Sequence, residues 1–190
     1  MRRQAKSVGL AIIGAGRVGL FRGEVAARHP AVQWIGIAEK NHNRGLYVAE
    51  KIGADFVTHD HRELLKRPEV TCAIIATDEH LHVEPIMAAV ERGLPMLIEK
   101  PLATDLAQSA RVLEAISEAG LDAVVGYTQR FRRKWLAVKE KVRSGALGDV
   151  TLVTSRAFMN RLVAIDNYKR TDDPKAISPM VISAPTRSTS

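Results

Sequence analysis

One short stretch near the start of the chain constrains the fold more than any other. The apolar run 8–13 leads directly into Gly14-x-Gly16-x-x-Gly19, and residues 17–29 are predicted to form a helix. This order of strand, glycines and helix is what the dinucleotide-binding fingerprint requires. The alternative interpretation is a glycine-rich turn in an α/β protein that binds no ligand.

Each glycine of the fingerprint has a separate predicted role. Gly14 permits a tight turn, Gly16 lets the backbone approach a pyrophosphate without a Cβ in between, and Gly19 lets the helix pack closely on the strand. Backbone N–H groups at the start of the helix, including those of Arg17 and Val18, are predicted to face the phosphates with the help of the helix dipole. These five residues are therefore candidate cofactor-binding positions.

An acidic residue follows the second predicted strand, 33–38, where the fingerprint expects one. Glu39 lies about 20 residues after Gly19. A carboxylate at this place can accept hydrogen bonds from both hydroxyls of an adenosine ribose, and it repels a 2′-phosphate. The residue thus favours NAD over NADP, although the charge of Lys40 can soften the repulsion. An ordinary strand-end charge is the alternative.

Predicted strands and helices alternate as far as residue 127. Asn43 is predicted to cap the second helix, and Thr104 or Asp105 a later one. Right-handed crossovers make a doubly wound parallel sheet the expected α/β architecture, with ligands beyond the carboxyl ends of the strands. After the first strand, the predicted strands are 33–38, 55–57, 70–76, 96–98 and 123–127, and the helices that follow 17–29 are 43–52, 61–66, 83–92 and 105–119.

Composition and charge indicate where the chain works and what it binds. With a single cysteine, Cys72, the chain has no intramolecular disulfide, which suits a reducing cytoplasm. No apolar run approaches the roughly 18 residues that span a bilayer. The net charge of +7 raises the question of nucleic acid, but the dense basic cluster at 130–134 is typical of a solvated helix face. We therefore expect no membrane and no nucleic-acid partner. His80 and His82 lack the further ligands of a metal site.

The ends of two later strands resemble a known family. Residues 74–77 (Ile-Ile-Ala-Thr), with His82 beyond them, and residues 97–103 (Leu-Ile-Glu-Lys-Pro-Leu-Ala) are similar to segments of the Gfo/Idh/MocA oxidoreductases. These are the relatives of glucose–fructose oxidoreductase and inositol dehydrogenase. Residues 126–131 and 144–148 resemble further segments of the family. The resemblance implies an NAD(P)-binding Rossmann domain over residues 1–127.

The resemblance also implies roles for individual residues. Lys100 is expected to be catalytic, because its ammonium near the nicotinamide can hydrogen-bond the reacting oxygen. Glu99 is expected to contact the cofactor, and Pro101 to follow a cis peptide bond. Thr77 and His82 are expected to border the nicotinamide end of the pocket. A surface lysine beside a proline turn is the alternative for Lys100.

In this family a second α/β domain follows, which carries substrate residues and often forms the oligomer interface. Residues 128–190 are predicted to hold a connecting helix and only the start of that domain, with its first strand at 149–158. The sequence departs from the family pattern in two places. Asp78-Glu79 replaces the usual Pro-Asn, and no residue matches the histidine of the family's His-x-x-Asp segment.

The family's activity is NAD(P)-dependent hydride transfer to or from a secondary alcohol or carbonyl of a sugar, polyol or related compound. Little or no turnover is expected here, because the histidine and most of the second domain have no counterpart. A homo-oligomer is expected of full-length members rather than of this chain. The alternative function is that of a non-catalytic nucleotide-binding fragment or pseudoenzyme.

Residues 184–190 also fit a one-base frameshift of a family-like Gly-Thr-His-Ala-Leu-Asp-Ile, which suggests the hypothesis of a frameshifted gene.

Overall fold

A parallel β-sheet forms the centre of the molecule in the computed structural model, which describes residues 7–154 and 156. Its strands are β1 (Val8–Ile13), β2 (Val32–Ala38), β3 (Phe56–Thr58), β4 (Cys72–Ile75), β5 (Met96–Ile98) and β6 (Ala123–Val125). They pair side by side in the order β3-β2-β1-β4-β5-β6, and every pairing is parallel. The chain therefore reverses its direction of travel between β1 and β4, which defines the switch point where such sheets bind ligands.

Helices connect the successive strands and cover both faces of the sheet. The α-helices of the described residues are α1 (Arg17–Ala27), α2 (His42–Ile52), α3 (His61–Leu65), α4 (Val83–Glu91), α5 (Leu106–Glu118) and α6 (Arg133–Arg143). Short 3-10 turns lie at Glu79–Leu81 and Thr128–Phe131. The doubly wound parallel sheet predicted from the alternation of strands and helices is confirmed.

The helix ends follow local capping rules. Asn41, rather than the predicted Asn43, caps α2, and its side-chain oxygen accepts a hydrogen bond from the N–H of Arg44. The N-cap directly precedes the first helical residue, so the cap of α2 lies two positions earlier than predicted. Asp105 caps α5 in the same way, as one of the two predicted alternatives. Gly53 ends α2 in the left-handed conformation, with φ of 67°.

The core lies on both faces of the sheet. Successive residues of a strand point to opposite faces, so Ile12 packs in one buried cluster and Ile13 in the other. Ile37 and Ile75 are fully buried, one in each cluster. Burial on both faces explains why these strands are apolar throughout rather than alternating.

The chain divides into two compact units, Met1–Val125 and Gly126–Ser190. The first unit holds the whole sheet. In the second unit, every residue of α6 is exposed. The strand predicted at 149–158 is not formed in residues 149–154 and 156, because a strand requires a neighbour to pair with and no described residue pairs with this segment. Residues 157 and 158, and the proposed frameshift at 184–190, lie outside the described part of the chain.

Candidate dinucleotide site

A cleft of about 690 Å³ opens at the carboxyl ends of β1, β2 and β4, at the switch point of the sheet. Its lining includes four of the predicted cofactor-binding residues, namely Gly14, Gly16, Glu39 and Thr77. The sheet therefore brings together, from three separate strand ends, residues that lie far apart in the sequence. Ligands of doubly wound sheets occupy this position.

The first and third glycines of the fingerprint are required by the packing. Gly14 has φ of +92°, and a Cβ there would lie 2.5 Å from the carbonyl oxygen of Ala76 at the end of β4. A Cβ on Gly19 would lie 2.0 Å from the carbonyl oxygen of Gly14. Both distances are far below any real contact of a Cβ. Gly14 thus permits the predicted turn. Gly19 permits a close approach of α1, but to the backbone of the glycine loop rather than, as predicted, to the strand.

Gly16 differs from the other two glycines because its Cβ would meet no atom within 4 Å. It is the N-cap of α1, no side chain caps that helix end, and no acidic residue lies in the first turn. Arg17 and Val18 follow as exposed residues, and Gly19 is buried. The backbone N–H groups at this helix end are therefore suited to an anion that approaches over Gly16.

Thr77 adds a polar group with unused hydrogen-bonding capacity. Its Oγ1 is buried and has no hydrogen-bond partner among the described residues. Buried hydroxyls nearly always have a partner in a complete structure. The open space over Gly16 and the orphan hydroxyl of Thr77 both fit a bound dinucleotide in the cleft.

Glu39 lies against the glycine loop. Its Oε2 accepts a hydrogen bond of 2.7 Å from the N–H of Ala15, and its Oε1 accepts one of 3.0 Å from the N–H of Asn41. Arg44 completes the arrangement, because its Nε donates to the carbonyl oxygen of Ala15 at 2.7 Å. The carboxylate is thus oriented before any ligand binds. Neither Ala15 nor Arg44 was predicted, since a backbone N–H and a helical arginine leave no recognisable signal in the sequence.

His82 is buried, with only 1% of its surface exposed. Its Nδ1 lies 2.7 Å from the carbonyl oxygen of Pro101, and its Nε2 lies 3.2 Å from that of Thr77. The Lys100–Pro101 peptide bond is cis, as the family resemblance implies. His82 therefore joins the loop after β4 to the turn after β5, and it is absent from the lining of the cleft.

Burial lowers the pKa of His82 below its ordinary value, and this effect outweighs the opposing effect of the two carbonyl contacts. The unfolded chain then binds the proton near pH 6.5, whereas the folded chain binds it only at lower pH. The neutral form of His82 therefore contributes fully to the stability of the folded chain above about pH 6.5. This contribution is lost as the pH falls toward the folded pKa of His82.

We expect the free energy of unfolding to fall more steeply in the wild type than in His82→Gln as the pH is lowered from about 7.5 to about 5.5. Urea unfolding at several pH values measures this difference. His42→Gln, which removes an exposed histidine at the start of α2, is the matched control. Equal slopes in the wild type and His82→Gln would contradict the prediction.

Glu99 is also buried, and it pairs with an arginine that was not predicted. Its Oε1 accepts hydrogen bonds from Nε and Nη2 of Arg22, at 2.8 and 2.6 Å. Arg22 lies on α1, 77 positions earlier in the sequence. Lys100 follows Glu99 as a half-buried residue and, like Glu99, is not among the residues that line the cleft.

No group of three or more potential metal ligands occurs in the described residues, and none of their helices is both long and apolar enough to cross a membrane.

The fold and the cleft define a dinucleotide-binding Rossmann domain. Residues 8–127 match the model of an oxidoreductase family with an NAD-binding Rossmann fold, the Gfo/Idh/MocA family. The chain belongs to this family, as the residues at its strand ends predicted, and NAD is the cofactor that the family domain binds.

Curated relatives of the chain include several inositol dehydrogenases. The chain is 31% identical over 150 residues to inositol 2-dehydrogenase from Rubrobacter xylanophilus, covering 78% of this chain and 43% of the relative. It is 28% identical over 139 residues to scyllo-inositol 2-dehydrogenase (NAD(+)) from Bacillus subtilis, covering 73% and 41%. The chain thus spans less than half the length of these relatives.

Solved structures support the same fold. Scyllo-inositol dehydrogenase from Lactobacillus casei, with bound NAD(H) and scyllo-inositol, aligns with a TM-score of 0.71 at 20% identity. The alignment covers 77% of this chain and 44% of that one.

Proposed function

We propose that the cleft binds NAD(H) with its pyrophosphate over Gly16. The observation that carries this proposal is the uncapped N-terminus of α1 at the switch point, where a Cβ on Gly16 would meet only open space. The backbone N–H groups at Arg17, Val18 and Gly19 would then hold the phosphates, which carry the negative charge that a helix N-terminus favours. Membership of an NAD-binding family supports this placement.

The adenosine ribose would lie beside Glu39. This carboxylate is oriented by the N–H groups of Ala15 and Asn41, and each oxygen keeps a second lone pair for a ribose hydroxyl. A 2′-phosphate would instead meet a negative charge at close range. Glu39 is therefore the residue that favours NAD over NADP in this chain.

Glu39→Gln is expected to narrow the preference for NADH over NADPH by about 10-fold, because the amide keeps a hydrogen-bond acceptor for Ala15 and removes the repulsive charge. Parallel fluorescence titrations with NADH and NADPH give the ratio of the two dissociation constants. Glu50→Gln is the matched control, since Glu50 is exposed on α2 and does not line the cleft. An unchanged ratio of the two dissociation constants in Glu39→Gln would show that Glu39 does not discriminate between NADH and NADPH.

The nicotinamide would lie toward β4 and β5, on the other side of the switch point from Glu39. We place the hydroxyl of Thr77 against the cofactor and Lys100 near the reacting oxygen of the substrate. His82 and Glu99 would support this end of the site through their contacts with Pro101 and Arg22. When bound, the nicotinamide accepts or gives a hydride at C4. Lys100 can hydrogen-bond the substrate oxygen and exchange its proton as the alcohol and carbonyl interconvert.

The substrate class that we propose is a polyol or sugar with a secondary alcohol, as in the inositol dehydrogenases among the relatives. A second candidate function is that of a nucleotide-binding module without catalysis. One observation favours it: Lys100, the expected catalytic residue, is not among the residues that line the cleft.

Two measurements on the chain separate these functions. The first is a fluorescence titration with NADH, and the second is NAD reduction with scyllo-inositol, myo-inositol and a panel of sugars. Turnover that is lost in Lys100→Ala would identify the dehydrogenase, and undiminished turnover in that variant would contradict the role of Lys100. Binding of NADH without turnover would identify the non-catalytic module. Failure to bind either NADH or NADPH would overturn both functions.

A further inference from the structure

An ion pair connects two segments of the proposed site that are distant in the sequence. Arg22 lies on α1, the helix that begins at the glycine loop, and Glu99 lies at the end of β5, directly before Lys100. Nε and Nη2 of Arg22 both donate to Oε1 of Glu99. The side chains are 22% and 11% exposed, so the pair is largely shielded from water.

Because Glu99 directly precedes Lys100 and Pro101, its ion pair with Arg22 can restrain the turn that these residues form. The backbone N–H of Glu99 donates to the carbonyl oxygen of Ile75 at 2.8 Å, which holds its main chain against the end of β4. A shielded carboxylate requires a partner of opposite charge, and Arg22 supplies it. Arg22 therefore restrains the side chain of Glu99 while the sheet restrains its backbone.

We propose that Arg22 is a positioning residue, which acts through Glu99 to hold the turn 99–103 in a fixed relation to the glycine loop. The turn carries Lys100 and the cis Lys100–Pro101 bond. On its other side, His82 contacts the carbonyl oxygen of Pro101. The turn is thus held by one contact from α1 and one from the start of α4. Arg22 is not among the residues that line the cleft.

The effect of Arg22 on the cofactor rests on the proposed function, whereas its effect on the turn does not. If the turn shapes the nicotinamide end of the site, loosening it should weaken binding of NADH. It should leave unchanged the binding of ADP-ribose, which has the same adenosine and pyrophosphate and lacks the nicotinamide. A general loss of protein stability would weaken the binding of NADH and of ADP-ribose alike.

The turn itself is tested by amide hydrogen exchange in the chain without cofactor. We expect Arg22→Met to raise the exchange rate of a peptide covering 99–103 by about 10-fold, with the protection of β1 unchanged. Arg28→Met is the matched control, because Arg28 is exposed at the end of the same helix. Equal exchange of the turn in the wild type and Arg22→Met would overturn the proposal, as would an equal rise throughout the sheet.

Binding is tested by titrating the same variants with NADH and with ADP-ribose. We expect Arg22→Met to weaken NADH binding about 10-fold and ADP-ribose binding less than 2-fold, with Arg22→Lys between the wild type and Arg22→Met. The double variant Arg22→Met/Glu99→Gln should bind NADH no more weakly than Arg22→Met does, because both changes remove the same ion pair. Additive losses, or equal losses for the two ligands, would contradict action through Glu99.

The two experiments fail in different ways. If the wild type binds neither ligand, the proposed function is wrong, and hydrogen exchange still decides whether Arg22 holds the turn. If Arg22→Met does not fold, Glu99→Gln takes its place in both measurements, because it weakens the same pair and keeps the shape of the side chain. Unchanged exchange in Glu99→Gln would then overturn the proposal.

Discussion

The Gly16→Val variant is expected to fold and to bind NADH at least about 100-fold more weakly than the wild type. Apart from its chain neighbours, a Cβ at this position meets no protein atom within 4 Å, so the substitution introduces no clash at the Cβ. The larger side chain would, however, fill the space over the N-terminus of α1, where the pyrophosphate is proposed to lie. The loss of two charge-assisted hydrogen bonds from backbone N–H groups is sufficient for an effect of about this size.

Fluorescence titration and urea unfolding of Gly16→Val separate binding from stability. We expect the free energy of unfolding to fall by only about 1 kcal/mol, the penalty for replacing glycine by valine at an N-cap. Ala27→Val adds the same side chain at the other, exposed end of the helix and should bind NADH normally. Wild-type affinity in Gly16→Val would exclude the glycine loop as the pyrophosphate site.

The same substitution three residues later has a different expected outcome. Gly19→Val should lower the free energy of unfolding by about 3 kcal/mol or more, a large part of the stability of an ordinary domain. The reason is that a Cβ on Gly19 would lie 2.0 Å from the carbonyl oxygen of Gly14. This oxygen belongs to a backbone held by the hydrogen bond from the N–H of Gly14 to the carbonyl oxygen of Ala38. It cannot move aside as the end of a flexible side chain could.

Urea unfolding of Gly16→Val and Gly19→Val side by side tests this difference. Failure to obtain folded Gly19→Val is an outcome in the expected direction, and Gly19→Ala then provides a smaller, measurable change of the same sign. If both valine variants had the same urea midpoint, the packing of α1 on the glycine loop would not be as close as the structure shows. Together the two variants test whether Gly16 is required for ligand binding and Gly19 for the stability of the fold.

Strands and helices were predictable because their signals are local. Continuous apolar runs identified the buried strands, and glycines such as Gly53 and Gly120 marked the helix ends, where both adopt positive φ. The errors had two origins, one local and one long-range. Asn41 and Asn43 are equally good caps by residue type, and only the hydrogen bond to Arg44 distinguishes them. The segment 149–154 has the apolar pattern of a strand, but a pattern cannot supply the neighbouring strand that pairing requires.

The candidate site was predictable in part. The glycines and Glu39 were found because a fixed spacing along one βαβ unit defines them. His82 was found through the family resemblance, but its burial between two carbonyl oxygens was not foreseen. Arg22 left no signal, since nothing near it in the sequence indicates that its partner lies 77 positions later.

The sequence by itself determined the α/β class, the order of the elements, the family and the position of the glycine loop. Each of these depends on the conformations and spacings of residues close together in the chain. Only the tertiary structure decided which strand ends meet in the cleft, which glycine faces open space, and that Arg22 pairs with Glu99. The physical reason is that these features depend on which strands become neighbours in the sheet, and long-range packing sets that order rather than the preference of any local segment.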